Sequence, residues 1–289
     1  MQNKDELVSV CIPTYNGALY IAEAIESAIG QTYKNIEIVI SDDNSSDDTI
    51  AIINKLKNKT TVPFFIYNHV PEGIGANWNY CMSKARGKFI KFLFQDDVLE
   101  PCCIEEMLTI FYQNKNAGLV ASKRSFIIDE NKNKNYVNMW LETFGDLQQG
   151  MSYSDDNCQV LSKGFFKNDI FLKTPINKVG EPSTFLFEKS LLKKIGWFRT
   201  DLVQILDYEF CIRVMKKKNI YIINKPLVKF RLHQKQATEA NKNSETEKFK
   251  RILFNKCFFL INKQLRKELF LDYTHLGKII YKTYKMIKK

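Results

Sequence analysis

The chain has 289 residues, 45% hydrophobic and 26% charged, ordinary values for a globular protein of one generous domain, or of one domain with an appendage. No run approaches the roughly 20 apolar residues that span a bilayer, and the polar opening lacks a signal-peptide core, so the expected location is the cytoplasm or, peripherally, the inner face of the cell membrane. The net charge of +11 is uneven: from Lys242 onward 13 basic residues face 4 acidic ones, which leaves a nearly neutral body and a basic tail.

Leu7–Ile12 is a short β-branched apolar run and reads as a buried strand, broken by the loop Pro13-Thr14-Tyr15-Asn16-Gly17. Ala18–Ile29 follows with helical spacing, Ile21, Ala24, Ile25 and Ala28 sharing a face. Ile36–Ser41 is a second buried strand and Asp42–Ser46 a polar turn. A helix is expected from near Asp47, with Ser45 or Ser46 as its cap. Phe64–Tyr67 reads as a third strand, Ala76–Ala85 as a helix, and Lys88–Phe94 as a fourth strand that ends at Gln95-Asp96-Asp97. Pro101 suits the first turn of the next helix, and Gly118–Ser122 is another strand.

Residues 129–166 are weakly patterned and rich in Asn, Lys, Asp and Ser, which suggests a long excursion serving as a lid or acceptor loop. Beyond it come an ordered stretch at Ser183–Phe187, a short helix to Ile195, a helix over Leu206–Lys217, and strands at Ile220–Ile223 and Leu227–Leu232. Strands alternating with helices imply right-handed βαβ units in a mainly parallel sheet. Ligands bind such sheets outside the carboxyl ends of the strands. Three polar clusters fall there: Pro13–Asn16, Asp42–Asn44 and Gln95–Asp97. Seven cysteines without regular spacing read as reduced thiols, and three histidines argue against a His-rich zinc site.

Adjacent carboxylates such as Asp96-Asp97 repel one another at a strand end unless solvated, paired with bases or holding a cation. Hard oxygen ligands suit Mg²⁺ or Mn²⁺; a solvated turn is the plainer alternative. One carboxylate of Asp42-Asp43-Asn44 could accept the imide N–H of a uracil ring, or simply cap a turn.

The segments VSVCIPTYNGALYIAEAIESAIGQTYKNIEIVISDDNSSDDT, GIGANWNYCMSKARGKFIKFLFQDDVLEP, ILDYEFCIRV and VKFRLH, in that order and spacing, resemble family 2 glycosyltransferases of the GT-A fold. The likeness runs from about Val8 to His233 with a gap over residues 129–166. It implies an α/β Rossmann-like sheet flanked by helices, with a nucleotide-binding half at about 1–122, an acceptor-binding half at about 123–236, and a helical basic C-terminal region at 237–289. It further implies a nucleotide-sugar donor, a UDP-sugar first, and a hydroxyl of a glycan or lipid-linked saccharide as acceptor, as in cell-surface polysaccharide synthesis. Residue by residue, Pro13, Thr14 and Tyr15 match the loop that packs on the nucleotide base, and Asp43 the carboxylate on the uracil. Asn79 matches a donor-contact segment. Asp96 matches the last residue of the family's Asp-x-Asp motif, which ligates Mn²⁺ or Mg²⁺. His233 matches a histidine that approaches metal or diphosphate, and Asp207 the general base of an inverting transfer.

This chain departs from the pattern in three places. Phe94 stands at the first position of the Asp-x-Asp motif, with Asp97 as a candidate compensating metal ligand. Trp78 stands where relatives carry Arg before Asn79, and Leu206 precedes Asp207 where a Glu is usual. Glu209 lies about 200° from Asp207 on a helix and is expected to pair with Arg213 at i+4.

In the tail, Phe249, Ile252, Leu253, Cys257 and Leu260 have helical spacing, and Leu276, Ile279, Ile280, Tyr284 and Ile287 repeat it among lysines. A basic amphipathic helix suits an anionic membrane surface, or packing on the body with a solvated lysine face. Two other readings stand beside the enzyme: a GT-A-fold protein without turnover, favoured by Phe94, and a basic nucleic-acid-binding or membrane-binding module. The neutral body and the lack of a nucleic-acid motif argue against nucleic acid as a partner, and the first βα turn lacks the dinucleotide fingerprint of a dehydrogenase.

Overall fold

A computed structural model of the chain describes residues 5–151, 157–233, 246–256 and Asn262. Its first half runs β1 (Val8–Thr14), α1 (Ile21–Ile29), β2 (Ile36–Asp42), α2 (Thr49–Lys57), β3 (Phe64–Asn68), α3 (Ile74–Lys84) and β4 (Phe89–Phe92). The second half contains β5 (Val98–Leu99), α4 (Cys103–Gln113), β6 (Ala117–Ile128), α5 (Lys134–Phe144), β7 (Cys158–Leu161), β8 (Leu186–Glu188), α6 (Leu192–Ile195), α7 (Leu206–Met215), β9 (Asn219–Leu232) and α8 (Thr246–Asn255).

The strands form one sheet in the order β3-β2-β1-β4-β8-β6-β9-β5, with β7 also on β9. Pairing is parallel from β3 to β4 and between β6 and β9. It is antiparallel where β8, β5 and β7 join. The expected parallel half is present; the second half is mixed because β8 returns between β4 and β6.

Every residue of β1 and β2 is buried, the mark of strands covered on both faces. Val8, Val10 and Ile12 point to the side holding α1, α2 and α4, whereas Cys11 points to the side holding α3 and α7. The period of two thus splits one apolar run between two cores. The face expected for α1, Ile21, Ala24, Ile25 and Ala28, is the buried one. The six described cysteines are all free thiols.

Several elements differ from the sequence reading. α2 starts at Thr49, and the carboxylate that receives the Thr49 N–H is Asp47 (3.1 Å), while Ser45 folds back onto Asp42. Residues 129–166 carry α5 and β7 rather than a bare loop. The two expected strands at the C-terminal end are one bent strand, β9, whose register against β6 slips between Ser122 and Arg124, where Pro226 sits. Such a slip bends the strand and lets a proline occupy it without a lost ladder bond.

The apolar stripe of α8 does not face outward. Phe249, Ile252 and Leu253 are buried in the same core as Tyr208 and Phe210 of α7. Lys256 pairs with Glu209 at 2.7 Å. This part of the tail is therefore a covering helix, its membrane-facing role removed because its apolar face is already occupied. Cys257, Leu260 and the second stripe, Leu276–Ile287, lie outside the described residues. Among those described, no helix is long and apolar enough to cross a membrane.

Candidate active site

The loops after β1, β2 and β4 are stitched at one sheet edge by short polar side chains. Asn16 N–H donates to Ser45 (2.8 Å), Ser46 N–H to Asn16 Oδ1 (2.9 Å), and Gly17 N–H to Thr49 (2.8 Å). Asn16 and Asn44 take left-handed φ of 47° and 62°, which asparagine tolerates better than most residues. Gln95 clasps Tyr15 in both directions: its Oε1 accepts Tyr15 N–H at 2.8 Å and its Nε2 donates to Tyr15 O at 3.0 Å. A Cβ at residue 17 would lie 2.4 Å from Gln95 Oε1 and would push that side chain out of its clasp on Tyr15.

Within the first cluster, Pro13 and Thr14 are buried strand residues, and the Tyr15 ring is open to a ligand, at 55% exposure. The two aspartates after β2 divide their work. Asp42 holds the turn, its two oxygens taking the Ser45 N–H (2.8 Å) and hydroxyl (2.6 Å). Asp43 bonds His69 Nδ1 through Oδ1 at 2.7 Å. His69 is set by its own N–H on Asp42 O and by the Tyr80 ring at 4.8 Å.

After β4, Asp96 Oδ2 lies 2.9 Å from His233 Nε2. Arg231, two residues before His233 and on the same side of β9 as expected, donates from Nε to Asp96 O at 2.9 Å and pairs with Glu23. The His233 ring lies against Tyr20 at 4.9 Å, and Lys132 Nζ donates to its carbonyl at 2.8 Å. Asp97 turns inward. It is 1% exposed, and Oδ1 takes the Arg231 N–H at 3.1 Å. Burial and the Asp96 charge push its carboxyl well above the usual range, against the pull of the Ser183 hydroxyl and the Arg231 N–H. The structure thus places Asp97 as a backbone anchor rather than beside Asp96 as an open metal ligand, because β5 must cross to pair with β9 directly after it.

Asp207 occupies the first turn of α7. Its Oδ1 accepts the Tyr208 N–H at 2.6 Å and its Oδ2 the Asn177 amide at 3.0 Å. It sits deep among protein atoms yet keeps partial access to solvent. Desolvation raises its pKa to about 7, outweighing the Tyr208 N–H and the Asn177 amide that favour the charged form; the Glu181 charge adds to the rise. The expected Glu209–Arg213 pair forms at 2.9 Å, which leaves Glu209 facing away from Asp207's role.

Asn79 is not brought to this edge. Both ends of its amide clasp the backbone of Phe198, at 2.8 and 3.0 Å, so its expected nucleotide contact is replaced by a structural one. Trp78 and Phe94, two of the departures from the family pattern, are in contact: their rings lie 5.0 Å apart, and Phe198 meets Trp78 edge-on at 5.2 Å. An aromatic pair fills the place of a cation and a carboxylate.

Sheet register explains how the separated residues converge. β1, β2 and β4 run parallel, so Thr14, Asp42 and the chain after Phe92 leave at the same edge. β8 runs against β4 with Leu186 opposite Lys91, which brings residues 182–184 to that edge. Ser183 is fixed there by the Phe94 N–H on its hydroxyl (2.9 Å) and by the buried Lys91 ammonium on its carbonyl. Asn177 then joins this stretch to Asp207, since its Nδ2 donates both to Gly180 O at 2.9 Å and to Asp207. Asp43, Asp96, His233 and Asp207 are so tied to one edge, whereas Asn79 and the Asp97 carboxyl are not. Gln95 was marked by its place in the polar cluster after β4, whereas Lys132 and Asn177 had no signal in the sequence: their partners lie 101 and 30 residues away.

A divalent cation fits what is present. Asp96 and His233 bring one oxygen and one nitrogen to this edge, 2.9 Å apart and bonded to one another, and among the described residues no third His, Cys, Asp or Glu side chain joins them. Two protein ligands with the remaining positions open to phosphate oxygens and water suit Mg²⁺ or Mn²⁺.

Comparison with known proteins agrees with this arrangement. Residues 9–196 match the family model described as "Glycosyl transferase family 2". An uncharacterized glycosyltransferase of Rickettsia typhi is 30% identical over 241 residues, 83% of this chain and 69% of that protein. The Campylobacter jejuni GalNAc(5)-diNAcBac-PP-undecaprenol beta-1,3-glucosyltransferase is 29% identical over 171 residues, 57% of this chain and 54% of that protein. Among solved structures, Staphylococcus aureus TarS residues 1–349 in complex with UDP-GlcNAc superposes with a TM-score of 0.64 at 18% identity, over 88% of this chain and 66% of TarS.

Proposed function

This chain belongs to glycosyl transferase family 2, and from that membership we propose an inverting transfer of a sugar from a nucleotide diphosphate donor, a UDP-sugar, to a hydroxyl of a glycan or lipid-linked saccharide. Its fold is the GT-A fold. The single observation that carries the mechanism is Asp207: a carboxylate held by neutral donors only, with its pKa near 7, tied to the edge that bears Asp96 and His233.

The acceptor hydroxyl attacks the anomeric carbon from the face opposite the diphosphate. A new carbon–oxygen bond forms as the bond to the diphosphate breaks, the electron pair leaves with the diphosphate, and the hydroxyl proton passes to the Asp207 carboxylate. One displacement inverts the centre, so no second carboxylate is needed as nucleophile. A base whose pKa lies near the working pH is best matched to this transfer. Asn177 and the Tyr208 N–H hold the carboxylate in place. Tyr15 offers its exposed ring to the nucleotide base, and Asp43, steadied by His69, offers an oxygen to the imide N–H. Asp96 and His233 would hold Mn²⁺ or Mg²⁺, which when bound neutralises charge on the diphosphate. The lipid-linked class of acceptor is suggested by the undecaprenol-linked saccharide named for the Campylobacter relative.

The test is a thermal-shift screen of nucleoside diphosphates with and without Mn²⁺, followed by hydrolysis of UDP-sugars. UDP with Mn²⁺ raises the melting temperature, because a ligand that binds only the folded state stabilises it. Absence of any nucleotide-dependent shift would sink this reading. Phe94 favours a second one, a fold without turnover, and measurable hydrolysis abolished in Asp207→Asn excludes it.

A further inference from the structure

We propose that Gln95 is a positioning residue: its amide fixes the spacing between Tyr15, which offers its ring to the nucleotide base, and Asp96, which would hold the cation on the diphosphate. What those two residues bind rests on the donor reading above; the clasp is geometry alone. Its effect is selective, because only a ligand long enough to touch both ends at once needs the spacing held.

The sheet leaves a gap at this point. β1 and β4 pair from Val8 opposite Phe89 to Cys11 opposite Phe92, and their last backbone bond runs from Leu93 N–H to Cys11 O at 3.0 Å. Beyond it the two chains part. β1 keeps its ladder with β2 as far as Thr14 opposite Asp42, and Asp43 N–H then donates to Thr14 O at 2.9 Å. Tyr15 and Asp43 are so held together on one side. The chain after β4 turns the other way: Phe94 N–H donates to the Ser183 hydroxyl at 2.9 Å. Asp96 is held from β9, by Arg231 on its carbonyl and His233 on its carboxylate.

Gln95 bridges that gap. One planar amide accepts the Tyr15 N–H at 2.8 Å and donates to Tyr15 O at 3.0 Å, the pattern of a neighbouring strand supplied by a side chain. Among the described residues these are the only hydrogen bonds between residues 13–18 and 93–97. α1 also touches the metal side, through the Tyr20 ring on His233 and Glu23 on Arg231, but those contacts reach the helix and not Tyr15. Gln95 directly precedes Asp96 in the chain, so the clasp ties the base platform to the metal-bearing turn.

Residue 17 leaves room for it. Gly17 is not among the residues with left-handed φ, so its backbone does not itself call for glycine. What a side chain there would meet is Gln95, whose atoms are the three nearest to an added Cβ, at 2.4, 2.6 and 3.3 Å. Two anchors on a fixed link hold a bridging ligand better than the same anchors adrift. Ordering the glutamine in the free protein also moves that entropy cost out of the binding step.

Binding to the full chain with Mn²⁺ present tests this. Uridine, which reaches Tyr15 and Asp43 alone, is titrated by ligand-detected NMR, and UDP, which extends to Asp96, by calorimetry. Gln95→Ala should weaken UDP about tenfold and uridine less than about twofold, because the anchors persist and only their alignment is lost. Gly17→Ala should reproduce the UDP loss by displacing Gln95. The double variant should bind UDP no more weakly than either single one, since two changes to one contact do not add. Undiminished UDP binding in Gln95→Ala would overturn the proposal. So would equal losses for uridine and UDP, or additive losses in the double variant; the last comparison decides the matter even where uridine binds too weakly to titrate. An unmodified protein that binds neither ligand would instead overturn the donor reading, and with it the ligand assigned to the clasp.

Discussion

The carboxylates carried by the two halves of the sheet are built differently. On the parallel side each faces a histidine: Asp43 meets His69 at 2.7 Å and Asp96 meets His233 at 2.9 Å. On the other side Asp207 faces an amide and a backbone N–H, with no cation in contact among the described residues, and desolvation carries its pKa to about 7. An imidazole beside a carboxylate fixes where a hydrogen-bond acceptor or metal ligand points. A carboxylate left among neutral donors keeps its affinity for a proton. On the roles proposed above, the same side chain serves as a recognition group or as a base according to its neighbours.

The largest expected effect falls on the proposed base, Asp207. Asp207→Asn should lower transfer by roughly 100- to 10,000-fold, the usual worth of a positioned base, with UDP binding intact by calorimetry. In the unmodified protein kcat/KM should rise with pH through about 7, since the base works only when ionised. The stability sign is opposite. A folded-state pKa raised above the unfolded one adds stability below about pH 4 that is lost as pH climbs through 7, so Asp207→Asn should flatten the fall in melting temperature over that window. A transfer rate in which no group titrates near 7 would break the contrast drawn here.

Next comes the metal pair. Asp96→Ala should remove the Mn²⁺-dependent part of the UDP thermal shift and leave the metal-free part, a difference readable in a single plate. Smaller, and aimed at the parallel side alone, is His69→Ala: the donor KM should rise about tenfold while kcat holds, because steadying a base-binding carboxylate is uniform binding. Equal losses in kcat and kcat/KM would move His69 into the chemistry.

The aromatic pair offers the finest probe. Trp78→Arg and Phe94→Asp singly should each destabilise by about 2–4 kcal/mol, by burying a charge where rings now pack. The double variant should lose less than the sum if the two charges find one another across 5.0 Å. Urea unfolding of the four proteins measures that coupling.

Much of this was legible in order and spacing. The runs ending at Ile12, Ser41 and Phe94 announced three buried strands because both faces are covered, and the polar groups after them marked the edge. The Glu209–Arg213 pair followed from i+4 spacing alone. What failed needed contacts across the chain. Asn79 reads like a ligand contact until Phe198, 119 residues on, takes both ends of its amide. Asp97 is indistinguishable from Asp96 until β5 pairs with β9. α5 was hidden because its inward face, Val137 and Trp140, is narrow, while Tyr136 and Met139 point to solvent; Trp140 stacks on Phe230 at 5.8 Å, a contact no local pattern predicts. The gap read between Ile223 and Leu227 closes because the slipped register carries one strand through Pro226.

The boundary at residue 236, natural to anyone trimming this protein to its minimal catalytic unit, cuts in the wrong place. α8 lays Phe249 against Tyr208 at 5.9 Å, on the helix that bears Asp207. A truncated version would bare that greasy seam, shedding about 3–5 kcal/mol for Phe249 alone by analogy with Phe→Ala. An expression clone ending there would yield clumped, inactive material and would be mistaken for a dead enzyme.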